Sequence, residues 1–215
     1  HTGSYDEKST AGQPLWLESH GARIALISAT FGLNGLPLPP EAPWSVNLID
    51  PRLIVAQAKA ARAAGADVVV VALHWGDEYV HEPSAYQTDV AEQVTASGTV
   101  DLVYGHHAHV VQPYDRVNGT WVLYGQGNAI AQQDPAVPSM WEGNAALVRF
   151  EQAQDGTWHV ADVGSRPTYI TPYGGPDSLR YLDVTSALTE PRWAYLHDRL
   201  VAARDATREV VAADG

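Results

Sequence analysis

Four consecutive valines, Val68–Val71, sit inside the run 66–73, which ends Val68-Val69-Val70-Val71-Ala72-Leu73. With apolar side chains on both sides of the pleat, such a run fits a strand covered on both faces, the usual setting of a parallel sheet wrapped by helices. The flanking sequence agrees. Residues 22–30 form another short apolar run, ending in the Gly-rich turn Phe31-Gly32-Leu33-Asn34-Gly35, and a proline-rich loop follows over 36–44. Asp50-Pro51 then supplies an N-cap and a first-turn proline for a helix that Gly65 can close. Ser84 is placed to cap a second helix through Ala96, with Gly98 beyond it, and residues 100–104 read as a third strand. Strand, helix, strand, helix, strand is a βαβαβ unit, whose right-handed crossovers make the strands parallel neighbours. Downstream, residues 110–124 read as a hairpin closed by Asn118-Gly119. Residues 145–151 and 157–163 read as a second, closed near Asp155-Gly156. A long helix is expected over Thr189–Ala213, with Thr189 as N-cap and Pro191 in its first turn. Trp16, Trp121 and Trp158, in or beside expected strands, are assigned to the core.

The formal net charge of −12 disfavours nucleic acid and anionic membrane surfaces as partners. An acidic polymer would be repelled too, unless the site itself is locally positive. The absence of cysteine removes disulfides, thiol nucleophiles and thiolate metal ligands. No segment approaches the roughly 18 apolar residues of a membrane span.

Four of the nine histidines lie at the ends of two expected neighbouring strands. One strand leads into His74-Trp75-Gly76-Asp77-Glu78-Tyr79, the other into Gly105-His106-His107-Ala108-His109. Ligands of open α/β sheets bind beyond the carboxyl ends of the strands, where both clusters fall. Neutral imidazole is a good ligand for zinc, manganese or iron. In an extended segment His107 and His109 share a face and His106 opposes them. His74, His107 and His109 are therefore the expected ligands, either on one ion or shared between two divalent ions about 3.5–4 Å apart that could clamp a phosphoryl oxygen. Asp77 and Glu78 are available to ligate or orient. His20, His81, His159 and His197 are assigned to solvent or ordinary packing, and His1 is uninformative.

These residues resemble the CapA, or poly-γ-glutamate capsule-synthesis, family. The segments His1-Thr2-Gly3-Ser4-Tyr5, Thr30-Phe31-Gly32-Leu33-Asn34-Gly35, His74 to Tyr79, Gly105 to His109 and Tyr124-Gly125-Gln126-Gly127-Asn128 occur in the family's order over most of residues 1–130. The family is similar to calcineurin-like metallophosphoesterases. The resemblance therefore implies an α/β fold, a sandwich of mixed β-sheets flanked by helices. Residues 1–130 would supply the family-like βαβαβ unit plus hairpin, and 131–215 a peripheral hairpin and C-terminal helix. It implies two divalent ions, with His74 and His107 on one and His109 on the other, and Asn34, Glu78 and Asn128 lining the pocket. It also implies an extracytoplasmic or cell-surface location. Sites of this kind further use carboxylates and an Asn-His pair in glycine-aspartate and asparagine-asparagine-histidine motifs. Asp6 and Asp50 lack that context, and the chain has no Asn-His dipeptide. The expectation is that an N-terminal half is missing, so that an upstream segment or a second chain completes the site.

Two functions compete on this footing. One is a metal-dependent phosphoesterase-like hydrolase, acting on a phosphoester or on an anionic γ-glutamyl polymer. The other is a non-catalytic component of polymer assembly or export, whose metal site binds or stabilises. A module binding carbohydrate or protein through exposed aromatics is a weaker third.

Overall fold

The computed structural model describes residues 1–131, 133, 134, 136–175 and 177–212; Ala213, the expected end of the last helix, lies outside them. Six strands form the main sheet: β1 (Leu15–Ser19), β2 (Ala22–Thr30), β3 (Val68–Trp75), β4 (Leu102–His107), β5 (Tyr114–Val117) and β6 (Thr120–Leu123). Their order is β1-β2-β3-β4-β6-β5, with β2, β3, β4 and β6 parallel and antiparallel strands at both edges. Helices α1 (Pro51–Ala63) and α2 (Ala85–Thr95) are the two crossovers. Asp50 caps α1 by accepting from the Arg52 N–H, and Ser84 and Gln87 form a reciprocal capping box on α2. A second, antiparallel sheet contains β7 (Glu142–Gln152), β8 (Trp158–Ile170) and β9 (Tyr181–Asp183). The chain then runs through the short helix α3 (Val184–Ala187) and a 3₁₀ segment, Pro191–Leu196, into α4 (His197–Val211).

The valine run explains the layering. Val69 and Val71 face Ile54, Ala58 and Ala61 of α1 and Val90, Ala91 and Val94 of α2. Val68 and Val70 face the other way, in a cluster that includes Ala146, Val148, Phe150, Trp158 and Val163 of the second sheet. All four valines are buried, so the strand is covered on both sides as its sequence requires. The fold is mixed α/β: helices on one face of a six-stranded mixed sheet and a second sheet on the other.

Several expectations shift. The strands expected at 66–73 and 100–104 run on to Trp75 and His107, because parallel pairing continues through His74↔His106 and Trp75↔His107. The helix expected from Thr189 begins instead as the 3₁₀ turn at Pro191, and α4 starts at His197 without a side-chain cap. Trp16 is not core: it is 37% exposed on edge strand β1, with the Arg23 guanidinium 4.6 Å from its ring centroid. The fully or nearly buried tryptophans are Trp75, Trp141 and Trp193.

Candidate metal centre

Parallel pairing carries three sequence-distant segments to one edge of the main sheet. Thr30 pairs with His74, and Trp75 with His107, so Phe31, His74 and His107 leave the sheet side by side. Gly105 makes that edge possible. A Cβ there would lie 2.0 Å from the Tyr124 carbonyl and 2.2 Å from Trp75 Nε1, and these two atoms hydrogen-bond each other at 2.9 Å.

Regular pleating would send His107 to the helix-covered face with Val103 and Gly105. Its backbone is left-handed instead, with φ 105°, and its ring centroid lies 4.7 Å from that of His74. His109 is left-handed too, with φ 58°, and its ring is 6.3 Å from His107. The expectation that His107 and His109 meet by strand alternation is thus corrected: they are adjacent because two left-handed residues turn them. Asn34 (φ 51°), in the turn after β2, and Tyr79 (φ 67°), whose N–H donates to the Ala108 carbonyl at 2.7 Å, are left-handed as well. Non-glycine residues in this conformation are uncommon, and backbone strain concentrates where a site needs special geometry.

Asn128 settles the tautomer of His109. This side chain is 7% exposed, and its amide nitrogen donates to the carbonyls of His109 at 3.2 Å and Met140 at 2.9 Å. Reversing the amide would set oxygen against both carbonyls, so Oδ1 must be the atom 2.8 Å from His109 Nδ1. An amide oxygen only accepts, so His109 carries its proton on Nδ1 and keeps the Nε2 lone pair free. That is how a metal-ligating imidazole is held by its neighbours.

His106 takes no part in this row. Its ring meets Tyr104 edge-on at 5.4 Å and lines a cavity of about 400 Å³ between the sheets. Glu78 and Asp77 are exposed, and their carboxylates favour the charged form of His107. Burial outweighs them, with a smaller contribution from His109, and holds His107 below the ordinary histidine range. His74 is lowered as well, first by burial and then by repulsion from His107, His106 and His109. His106 is lowered by burial: its edge is exposed, yet the cavity walls dehydrate the rest of the ring. Asn34 is exposed on its turn, and among the described residues it makes no hydrogen bond to the histidines. His81, assigned to ordinary packing, hydrogen-bonds through Nδ1 to the Val111 carbonyl at 2.7 Å.

Phe31 and Tyr79 were missed as site residues. Phe31 lies 4.5 Å from the His107 ring and 6.1 Å from His74, and Tyr79 stacks on His109 at 5.8 Å and 22°. The available signal was an aromatic inside each of the two motifs flanking the histidines.

Two imidazoles on one ion, at metal–nitrogen distances of about 2.0–2.1 Å and angles of about 90–110°, have ring centroids about 4.5–5.2 Å apart. The 4.7 Å between His74 and His107 falls in that interval, and the longer step to His109 suits a neighbouring ion. Neutral imidazoles are also the right donor chemistry. They do not make a whole coordination shell: among the described residues no group of three or more His, Asp or Glu side chains is arranged around one ion. The histidines therefore fit part of a metal site.

The family profile described as "Bacterial capsule synthesis protein PGA_cap" matches residues 1–133. The PGA biosynthesis protein CapA of Bacillus subtilis (strain 168) is 34% identical over 145 residues, which cover 66% of this chain and 36% of that protein. The capsule biosynthesis protein CapA of Bacillus anthracis is 31% identical over 143 residues, 64% of this chain and 33% of that one. The chain thus spans about a third of the length of these curated relatives. Among solved structures, the calcineurin-like phosphoesterase YfkN from Bacillus subtilis aligns at a TM-score of 0.43 and 18% identity, covering 89% of this chain and 57% of that one. With more than half of its residues matched by the profile, the chain belongs to the PGA_cap family of bacterial capsule synthesis proteins.

Proposed function

We propose that this chain carries the histidine half of a metal-dependent, phosphoesterase-like hydrolase of the CapA type, working in poly-γ-glutamate capsule synthesis outside the cytoplasm or at the cell surface. The observation that supports it most is the row His74–His107–His109, with an ion-sized spacing at one end and a fixed free Nε2 at the other. In this reading His74 and His107 hold one divalent ion and His109 a second, the ions being manganese, zinc or iron. Bound ions would supply Lewis-acid stabilisation of negative charge on a phosphoryl or carbonyl oxygen. The chain's own residues orient and select. Asn128 keeps His109 in its ligand tautomer, Glu78 offers an exposed carboxylate beside His107, and Asn34 lines the entrance. The carboxylates that a dication pair needs come from another segment of polypeptide or from a second chain. The substrate is then a phosphoester or an anionic γ-glutamyl polymer, drawn in by ions that offset the chain's negative charge. No helix among the described residues is long and apolar enough to cross a membrane.

The partial donor set among the described residues is also compatible with a second reading, a non-catalytic assembly component whose metal site binds polymer. Incubating the intact protein with bis-(p-nitrophenyl) phosphate, and separately with γ-glutamyl oligomers, separates the two. Hydrolysis dependent on added Mn²⁺ or Zn²⁺ and lost in His107→Ala is the expected result. A metal-loaded protein that hydrolyses neither substrate leaves the assembly reading standing.

A further inference from the structure

We propose that Phe31 is a positioning residue for His107: its ring holds the imidazole where a hydrogen bond would ordinarily do so. This inference rests on the metal-site reading. The central and one terminal member of the histidine row are fixed differently. His109 is held by the 2.8 Å hydrogen bond to Asn128. The His107 side chain makes no hydrogen bond among the described residues, and the aromatic rings beside it are those of Phe31 at 4.5 Å, His74 at 4.7 Å and His109 at 6.3 Å. A ligating imidazole whose second nitrogen has no partner can swing among rotamers unless packing stops it.

Phe31 is built for that task. It remains 43% exposed, although a phenyl ring gains most from full burial. Its position is secured from both sides. The Phe31 N–H donates to the His74 carbonyl at 2.9 Å, and the Thr30 hydroxyl donates to the Gly32 carbonyl at 2.9 Å, which closes the turn. The ring also stacks over His74 at 6.1 Å and 18°, so one aromatic side chain abuts both imidazoles assigned to the same ion. Tyr79 is the internal control. It covers His109 in a similar way and is 46% exposed, but the ring it covers already has a hydrogen bond. Removing Tyr79 should therefore matter less.

The test is Mn²⁺ titration by calorimetry on the intact protein and its Phe31→Ala, Phe31→Tyr and Tyr79→Ala variants, paired with NMR of the histidine rings in the metal-free protein. Freeing one torsion with three staggered wells, and a second ring torsion with it, should weaken Mn²⁺ binding by about three- to tenfold in Phe31→Ala. Phe31→Tyr should restore it, and Tyr79→Ala should change it by less than about threefold. In the metal-free protein, the His107 ring should show one rotamer in the wild type and several in Phe31→Ala. Unchanged affinity in Phe31→Ala, or a His107 ring still held in one rotamer there, overturns the proposal. If the wild type binds no Mn²⁺, the metal-site reading fails by itself, and the rotamer measurement alone decides whether Phe31 positions His107.

Discussion

Asn128→Asp isolates the atom that sets the tautomer of His109. The replacement keeps shape and volume, and it keeps an oxygen facing His109 Nδ1. It exchanges the NH₂ that now donates to the His109 and Met140 carbonyls for a second oxygen. At neutral pH both donated bonds are lost and two acceptors face the new oxygen at a site only 7% exposed. Each lost bond costs roughly 0.5–1.5 kcal/mol, and stranding buried acceptors adds more, partly offset by a charge-assisted bond from His109. The expected loss is about 2–4 kcal/mol. For a chain this size that lowers a urea midpoint by about 1 M. The introduced carboxyl should have a folded-state pKa above its unfolded value. Its deficit is therefore absent below the unfolded pKa and grows as pH rises through the folded one, so the gap to wild type should narrow in acid. Urea denaturation at pH 7 and pH 4 measures both effects. If the variant matches wild type within about 0.5 kcal/mol at pH 7, the amide is not oriented as described, and the free Nε2 of His109 loses its support.

Gly105→Ala should destabilise by about 2–5 kcal/mol in the same assay, since its methyl must displace the Tyr124 carbonyl or the Trp75 indole and break their hydrogen bond. A loss below about 1 kcal/mol would mean that this edge yields easily. His74, His106 and His107 are all held below the ordinary histidine pKa of 6.5. As pH falls through that value the unfolded chain binds more protons than the folded one, so the metal-free protein should lose thermal stability from pH 7.5 to 5, and a flat profile would contradict the shifts.

The sheet was legible where side chains had no alternative. Val68–Val71 could only be a strand covered twice, and Asp50-Pro51, Ser84 and Asn118-Gly119 marked boundaries through caps and a turn with φ of 51° and 83°. Strand β1 was not, because Leu15–Ser19 is largely exposed and its hairpin turns on His20-Gly21. His20 takes φ 49° there, a position where asparagine would have been the recognisable signal. The site divided in the same way. That the His74 and His107 segments reach the same end of the sheet follows from parallel strands, so the sequence implied it, but the meeting of their rings does not follow from pairing alone. The left-handed backbone at His107 and His109 and the stacking of Phe31 depend on loop paths, which periodicity does not encode. The hydrogen bond from His109 to Asn128 joins residues 19 apart through a loop, and only coordinates reveal which ring nitrogen it holds.

The central claim is that His74, His107 and His109 are ligands to divalent metal in the intact protein. Elemental analysis after dialysis tests it most directly, on wild type and on the His74→Ala, His107→Ala, His109→Ala, His81→Ala and His159→Ala variants. Bound manganese, zinc or iron is expected in wild type, with a loss in each of the first three variants, folding retained, and wild-type content in the last two. Equal losses at all five positions would reflect stability alone, and unchanged content in His107→Ala would show that His107 is not a ligand.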